Sequence, residues 1–195
     1  MLITSVLLAG CGSAAPTPAP TPPSPPAAVV APEKSEPPRD VRFPDGWTGV
    51  WKGPLRIETT GKPSSTLEME LHIQPLAEPD RWTWKIVYAG QPRDYVLIAV
   101  DRAGGRYQVD ERNSIVLDAI LVDGTLFSQF TVMNNFIQAR YTNRGATLEF
   151  EIVMVSMKTP NKTGGSGAPD VESFPVRVVQ RASLYRVSPA RPDAR

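Results

Sequence analysis

The feature that most constrains the fold of this chain is a period-two alternation of apolar and polar residues that recurs along most of its length. From Leu67 to Ile73 every second residue is apolar, and the residues between them are charged or polar. The same alternation runs from Arg81 to Tyr88 and from Leu148 to Ile152. This pattern is typical of β-strands with one buried and one solvated face. No segment shows a helical period over ten residues, so the sequence predicts an all-β fold.

Short turns separate the alternating runs, and their length predicts how the strands are connected. Turn formers such as Asp123-Gly124 leave connections of only a few residues between most runs. Connections this short join antiparallel neighbours, because a parallel crossover needs about a dozen residues or more. We predict a single antiparallel meander β-barrel of about ten strands, since closure removes the exposed edges. A two-sheet β-sandwich is the alternative. The predicted strands cover residues 47–59, 66–75, 81–89, 94–101, 105–110, 114–122, 125–133, 135–142, 146–157 and 174–187.

The first predicted strand contains the sequence Gly49-Val50-Trp51. This sequence resembles the G-x-W motif at the start of the first strand in lipocalins and related calycin barrels. In that superfamily the tryptophan closes one end of the barrel, and an arginine of the last strand packs over it. The resemblance implies a lipocalin-like barrel in which Gly49 and Trp51 are structural residues of the barrel end. Arg181 or Arg186 would supply the arginine. The alternative is that Trp51 is an ordinary core aromatic residue.

Near the N-terminus, a short apolar run ends in Leu8-Ala9-Gly10-Cys11. The run is too short to span a bilayer as a helix, but it suits the apolar region of an export signal. The four residues resemble the lipobox of bacterial lipoproteins, whose signal is cleaved before a cysteine that is lipidated on sulfur. The resemblance implies a signal peptide over 1–10 and a mature protein that carries lipid, such as palmitate, on Cys11. Cys11 is the only cysteine, so the chain has no intrachain disulfide.

A proline-rich segment, 11–40, separates this cysteine from the predicted barrel. It contains ten prolines and few large apolar residues, so we expect a disordered tether. Extended polyproline II at about 3.1 Å per residue would give it a reach of up to roughly 90 Å. The predicted organisation is therefore a signal peptide, a lipidated tether, a β-barrel domain over 41–188 and a disordered tail over 189–195.

The residue that follows Cys11 bears on the predicted location. In Gram-negative lipoproteins an aspartate at this position favours retention in the inner membrane, and this chain has Gly12 there. The resemblance therefore implies an anchor in the outer membrane, facing the periplasm, if the host is Gram-negative. The formal net charge of +1 offers no electrostatic basis for nucleic-acid binding, so we expect no nucleic-acid partner.

Catalytic and metal sites find little support in the sequence. The only histidine, His72, shares a predicted strand face with Glu68 and Glu70, which we expect to face solvent. No second ligand stands at metal spacing, so we expect neither zinc nor haem, nor any other cofactor. Without a histidine beside a nucleophile, no catalytic residues can be named, and we expect a non-enzymatic protein.

Two loops carry polar residues with more than one interpretation. Asp110–Asn113 offers two carboxylates that could bind a cation or transfer protons, but side chains of these types also cap tight turns, and we favour the turn. Lys158–Ser173 is the longest loop, and we interpret it as a flexible hairpin rather than a lid or a partner-binding loop.

Four aromatic residues provide the candidate ligand site: Trp82, Trp84, Tyr88 and Tyr95. If the barrel encloses a cavity, their rings would line it and accept a small apolar or amphipathic ligand. If the barrel is filled, they are core residues. The functional hypothesis is a membrane-anchored lipoprotein that binds such a ligand in the cell envelope. The alternative is a filled barrel that acts through an envelope protein partner.

Overall fold

A computed structural model describes residues 43–187, which form twelve β-strands and no helix. Ten strands close into one antiparallel barrel in the order β1-β12-β9-β8-β7-β6-β5-β4-β3-β2. The predicted all-β meander barrel is therefore confirmed, and the sandwich alternative is wrong. The strands are Gly49–Thr59 (β1), Ser65–Ile73 (β2), Arg81–Tyr88 (β3), Gln91–Asp101 (β4), Arg106–Asp110 (β5), Val116–Val122 (β6), Thr125–Val132 (β7), Asn135–Asn143 (β8), Thr147–Ser156 (β9), Asn161–Gly165 (β10), Ala168–Ser173 (β11) and Val176–Arg186 (β12).

Several predicted segments lie outside the described residues. These are the signal peptide 1–10 with its lipobox, the tether 11–40 with Cys11, and the tail 189–195. Within residues 43–187, no helix has the length and apolarity that a bilayer crossing requires.

Two strands, β10 and β11, belong to the predicted loop Lys158–Ser173 rather than to the barrel. They pair only with each other, through contacts such as Lys162 opposite Glu172. Every side chain of the two strands is exposed. The segment therefore forms a hairpin that projects from the barrel between β9 and β12.

The alternation seen in the sequence sorts the side chains of the barrel into an inner and an outer set. Leu71 and Ile73 of β2 are fully buried inside. On the outer face, the Lys52 ammonium lies 2.7 Å from Glu68 and 3.2 Å from Glu70. His72 Nε2 lies 2.8 Å from Glu70 Oε2 on the same face. Hydrogen bonds from His72 and Lys52 lower the pKa of Glu70 against a smaller opposing effect of burial.

One end of the barrel, where β1 begins, is closed by aromatic side chains, and we call it the plugged end. Trp47 and Trp51 are fully buried there. The Trp51 indole donates a 2.8 Å hydrogen bond to the Trp47 carbonyl, and the Trp47 backbone amide donates to Pro44. The Phe43 ring packs edge-on against Trp82, with 4.8 Å between the ring centroids. The short segment before β1 thus forms the plug.

Arg186, at the end of β12, covers this plug. Its guanidinium lies 4.4 Å from the centroid of the Trp51 ring. It donates hydrogen bonds to the Gly46 carbonyl at 2.8 Å and to the Thr48 carbonyl. Gly49 has a φ of +138°, and a Cβ built there would lie 3.1 Å from Arg186 Nη1. A glycine at this position thus allows both the backbone conformation and the close approach of the arginine.

Arg181, the other arginine considered from the sequence, lies on the outer face of the barrel. Its Nε is 2.7 Å from Glu151, which also pairs with Arg140 at 2.9 Å. Arg186 therefore takes the position over the Trp51 ring that the lipocalin resemblance implies.

Asn143, at the end of β8, fastens the plug to the barrel wall. Its side chain is almost fully buried. The Nδ2 group donates a 2.6 Å hydrogen bond to the Gly46 carbonyl, and Oδ1 accepts one of 2.7 Å from the Gly145 amide. The segment before β1 is thus held by side chains from two distant strands, β8 and β12.

Candidate functional site

The opposite end of the barrel, which we call the open end, contains an internal cavity of about 150 Å³. It lies near the end of β3 and the start of β4 and extends inward to β8 and β9. A cavity of about this volume lined by aliphatic and aromatic residues is large enough to bind benzene. The site can therefore accept a small apolar group. Its lining residues are Trp84, Ile86, Tyr88, Arg93, Tyr95, Val109, Glu111, Leu117, Ser128, Phe130, Ala139, Tyr141 and Ile152.

The cavity lies at this end because the interior residues of the two ends differ in size. Bulky rings fill the plugged end, whereas the wall of the cavity includes the smaller Val109, Ser128 and Ala139. Two rings form its inner floor, with 5.0 Å between the centroids of Trp84 and Tyr141 in an edge-on arrangement. Such packing fixes the depth of the cavity.

Two of the three tyrosines that line the cavity, Tyr88 and Tyr141, have pKa values above the usual range. Burial raises the pKa of Tyr88 to about 12, and the nearby Arg93 opposes the shift only in part. Burial also raises the pKa of Tyr141. Their hydroxyl groups are therefore neutral at physiological pH and can donate hydrogen bonds to a ligand.

Arg93 lies at the rim of the cavity, near the start of β4. It is opposite Ile86 of β3, another lining residue, so both side chains are on the inner face of the sheet. Its guanidinium is 5.5 Å from the centroid of the Tyr88 ring. A hydrogen bond with Tyr95 raises the pKa of Arg93, with a smaller contribution from the Glu111 carboxylate. The mouth thus combines a fixed positive charge with two phenol rings.

A second space, of about 340 Å³, adjoins the cavity at the open end. Its walls include Leu55, Ile57 and Leu67. Tyr88 and Arg93 line both spaces, and so does Ile152. The two spaces therefore share part of their walls.

The structure brings together three of the four aromatic residues predicted to line a site. Trp84, Tyr88 and Tyr95 all face the cavity. Trp82 does not, because it lies two residues closer to the plugged end, where Arg102 stacks over its ring at 5.1 Å. Sequence reasoning missed Arg93, although the alternation of β4 places it on the same face as Tyr95.

The polar loop Asp110–Asn113 begins at the end of β5 and is held by hydrogen bonds within its own turn. Within residues 43–187, no three His, Cys, Asp or Glu side chains are grouped so as to hold a metal ion. Asp110 accepts a 2.7 Å hydrogen bond from the Arg112 amide, and Asn113 accepts one of 3.1 Å from the Ile115 amide. These two side chains stabilise their own turn.

Comparisons with known proteins bear on the fold. No protein-family model matches the chain, and no curated protein does. The structure is similar to that of a protein with unknown function from the DUF3598 family of Nostoc punctiforme, with a TM-score of 0.55 and 13% identity over 78% of this chain. The match covers 51% of that protein, so this chain spans about half its length.

A second similar structure is an S-type phycobiliprotein lyase from Guillardia theta. The TM-score is 0.50 and the identity 9%, and the match covers 74% of this chain and 90% of the lyase. The barrel has a lipocalin-like fold. At identities this low, the likeness extends to the fold alone.

Proposed function

We propose that this protein is a lipoprotein, anchored in the cell envelope through Cys11, whose barrel binds a small apolar or amphipathic ligand. The observation that supports ligand binding is the open-end cavity of about 150 Å³. Its wall is mostly aliphatic and aromatic, with a few polar groups, including Arg93 and Ser128, among them. Binding sites for small molecules have this composition.

The volume of the cavity limits the affinity that it can provide. An apolar group of about six carbons fits, and burial at about 0.8 kcal/mol per methylene gives roughly 5 kcal/mol at most. That figure corresponds to sub-millimolar binding before the cost of association is subtracted. A ligand that binds more tightly needs further contacts, either with the polar groups at the rim of the cavity or in the adjoining space of about 340 Å³.

The anchor proposal rests on the lipobox and on the proline-rich tether. Each buried acyl methylene adds about 0.8 kcal/mol of membrane affinity, so two or three chains would hold the protein almost permanently. The glycine at position 12 favours the outer membrane, facing the periplasm, in a Gram-negative host. Phe43, the first described residue, lies at the plugged end of the barrel.

Acyl labelling tests the anchor. The wild-type chain should incorporate labelled palmitate and sediment with membranes, whereas Cys11→Ser should do neither. Ser13→Ala, a control change outside the lipobox, should behave as wild type. Absence of label in the wild-type chain would refute lipidation without bearing on the cavity.

Native mass spectrometry tests ligand binding by the barrel. The full chain carrying Cys11→Ser is incubated with an envelope extract, repurified and weighed. We expect a mass addition that organic extraction removes. Adding Ala139→Leu should abolish it by filling the cavity, whereas Ala146→Leu in the exposed β8–β9 turn should not. An unchanged apo mass, or equal binding by the filled variant, would contradict binding in this cavity.

A second candidate function is docking of an envelope protein on the outer surface. It is favoured by apolar side chains that face outward on β4, β6 and β7, where Ile120 stands opposite Phe127 and where Val100 and Val122 are also exposed. A photo-crosslinking residue at position 120 should then capture one defined partner, and one at Arg56 should not. Equal or absent crosslinking at both positions would count against this function.

A further inference from the structure

We infer that the open-end cavity selects amphipathic ligands with a monoanionic head group and that Arg93 binds this group. The inference rests on the proposed function, since it names the class of ligand that the cavity would bind. It starts from the contrast between a mostly apolar cavity and one arginine at its rim.

Arg93 is well placed to meet a ligand that enters from the open end. It is the third residue of β4, after the tight β3–β4 turn, and its register opposite Ile86 directs it to the inner face. It is the one arginine, and there is no lysine, among the residues that line the cavity or the adjoining space. A head group at the mouth would therefore meet this cation.

The charge of Arg93 is not neutralised by a direct protein partner. None of the ion pairs found within residues 43–187 includes this arginine. Its guanidinium contacts the Tyr88 ring, and the Tyr95 side chain lies close by on the same strand face. A guanidinium has five N–H donors, so most remain for a ligand. Its planar fork matches the paired oxygens of a carboxylate, sulfate or phosphate group.

Glu111 is the one carboxylate among the residues that line the cavity, so its negative charge would also act on a charged head group. Its Oε2 accepts a 3.3 Å hydrogen bond from Asn113 Nδ2, which ties it to the turn after β5. A cationic head group would seek Glu111, whereas an anionic one would be repelled by it. Neither side chain is in an ion pair within residues 43–187, but Arg93 lines both the cavity and the adjoining space, whereas Glu111 lines the cavity alone. The position of Arg93 therefore favours the anion.

The apolar part of the ligand would then lie deeper in the barrel. The lining beyond the rim is formed by residues such as Val109, Ala139 and Ile152, above the floor made by Trp84 and Tyr141. A ligand with its head at Arg93 and a short chain directed inward satisfies both parts of the site.

Calorimetric titration with three ligands of equal chain length tests the inference. Octanoate, octanol and octylammonium are titrated at low salt and pH 7 into the full chain carrying Cys11→Ser. We expect octanoate to bind roughly tenfold more tightly than octanol, since hydrogen bonds to charged groups are the stronger ones. Arg93→Gln should remove that advantage by weakening octanoate binding roughly tenfold more than octanol binding. Arg56→Gln, an exposed outward-facing arginine at the same end, is the matched control.

Two further variants keep the test decisive. Arg93→Lys retains the positive charge without the planar guanidinium and should keep part of the preference for octanoate over octanol. It replaces Arg93→Gln if that variant does not fold. Glu111→Gln should strengthen octanoate binding by removing a repulsive charge.

Each contrary result has a distinct meaning. Equal affinities for octanoate and octanol, or equal losses for both in Arg93→Gln, would overturn the inference and leave the proposed function intact. Preference for octylammonium would also overturn it and would assign the head group to Glu111. If none of the three ligands binds, the inference and the proposed ligand-binding function both fail.

Discussion

Arg186 connects parts of the chain that are far apart in sequence at the plugged end. Its guanidinium stacks on Trp51 and hydrogen-bonds the carbonyls of Gly46 and Thr48. Hydrogen bonds from a charged donor contribute about 1.5–3 kcal/mol, and a cation–π contact about 0.5–2 kcal/mol. The stability of the closure therefore depends strongly on one exposed side chain.

We predict that Arg186→Gln lowers the free energy of unfolding by about 1–3 kcal/mol, because two carbonyls and one ring lose their cationic partner. Urea denaturation followed by tryptophan fluorescence measures the change. Arg181→Gln removes an arginine of the same strand whose partner, Glu151, is on the outer face, and should cost less than about 1 kcal/mol. Equal losses in the two variants would contradict the role assigned to Arg186.

The ionisation of the Tyr88 phenol makes the free energy of unfolding depend on pH in the alkaline range. Burial raises the pKa of Tyr88 from 10.0 to about 12, so the folded protein holds this proton more tightly than the unfolded chain. The resulting stabilisation is fully present below pH 10 and is lost as the pH rises through 12.

We predict that Tyr88→Phe removes this pH dependence. Relative to that of the wild type, the free energy of unfolding of the variant should rise by about 1.4 kcal/mol per pH unit between pH 10 and 12. Between pH 7 and 9 the difference in the free energy of unfolding between the two proteins should stay constant, which provides the internal control. Parallel curves over the whole range, from urea titrations at each pH, would show that this phenol is not buried.

The residues of the plugged end were only partly predictable. The Gly49-Val50-Trp51 motif identified the tryptophan, but motif spacing did not decide whether Arg181 or Arg186 packs over it. The alternation of the last strand contains the missing signal: Ala182 and Leu184 are buried, and Arg186 shares their face. Arg181 is one position out of phase and therefore faces solvent.

At the scale of elements, the hairpin of β10 and β11 is an addition to the barrel rather than a part of it. All of its side chains are exposed, and neither strand pairs with β9 or β12. The barrel is already continuous across its base, where Val155 of β9 is opposite Val176 of β12.

We predict that replacing residues 158–174 by a short glycine-containing turn leaves the barrel intact. The free energy of unfolding should change by less than about 1 kcal/mol, since little apolar surface is lost and a shorter loop costs less to close. Urea denaturation and octanol titration measure stability and binding in the same protein. A loss of several kcal/mol, or of binding, would show that the hairpin packs on the barrel or its mouth.

The strands of the barrel were predictable because each has one buried and one solvated face. β2 runs from Ser65 to Ile73 against a prediction of 66–75, and β7 from Thr125 to Val132 against 125–133. The hairpin was not resolved into strands, because its exposed side chains include neither an apolar alternation nor a core-facing residue. Its glycines and its length predicted a flexible hairpin, without the bounds of its strands.

At the scale of the whole molecule, the barrel is asymmetric along its axis. Trp47, Trp51 and Asn143 close one end, while the other contains a cavity of about 150 Å³. Closure of the meander could be predicted from strand number and loop length. The empty volume could not, because it depends on which inner side chains meet across the barrel.

The central claim is that an apolar group binds inside the open end, and indole NMR of the full chain carrying Cys11→Ser tests it most directly. The protein has four tryptophans, and Trp84 alone of them lines the cavity. Titration with octanol should shift the Trp84 indole resonance saturably, while the resonance of Trp51 in the plugged end stays in place. No shift at Trp84 up to millimolar octanol, or equal shifts at both indoles, would contradict binding in the cavity.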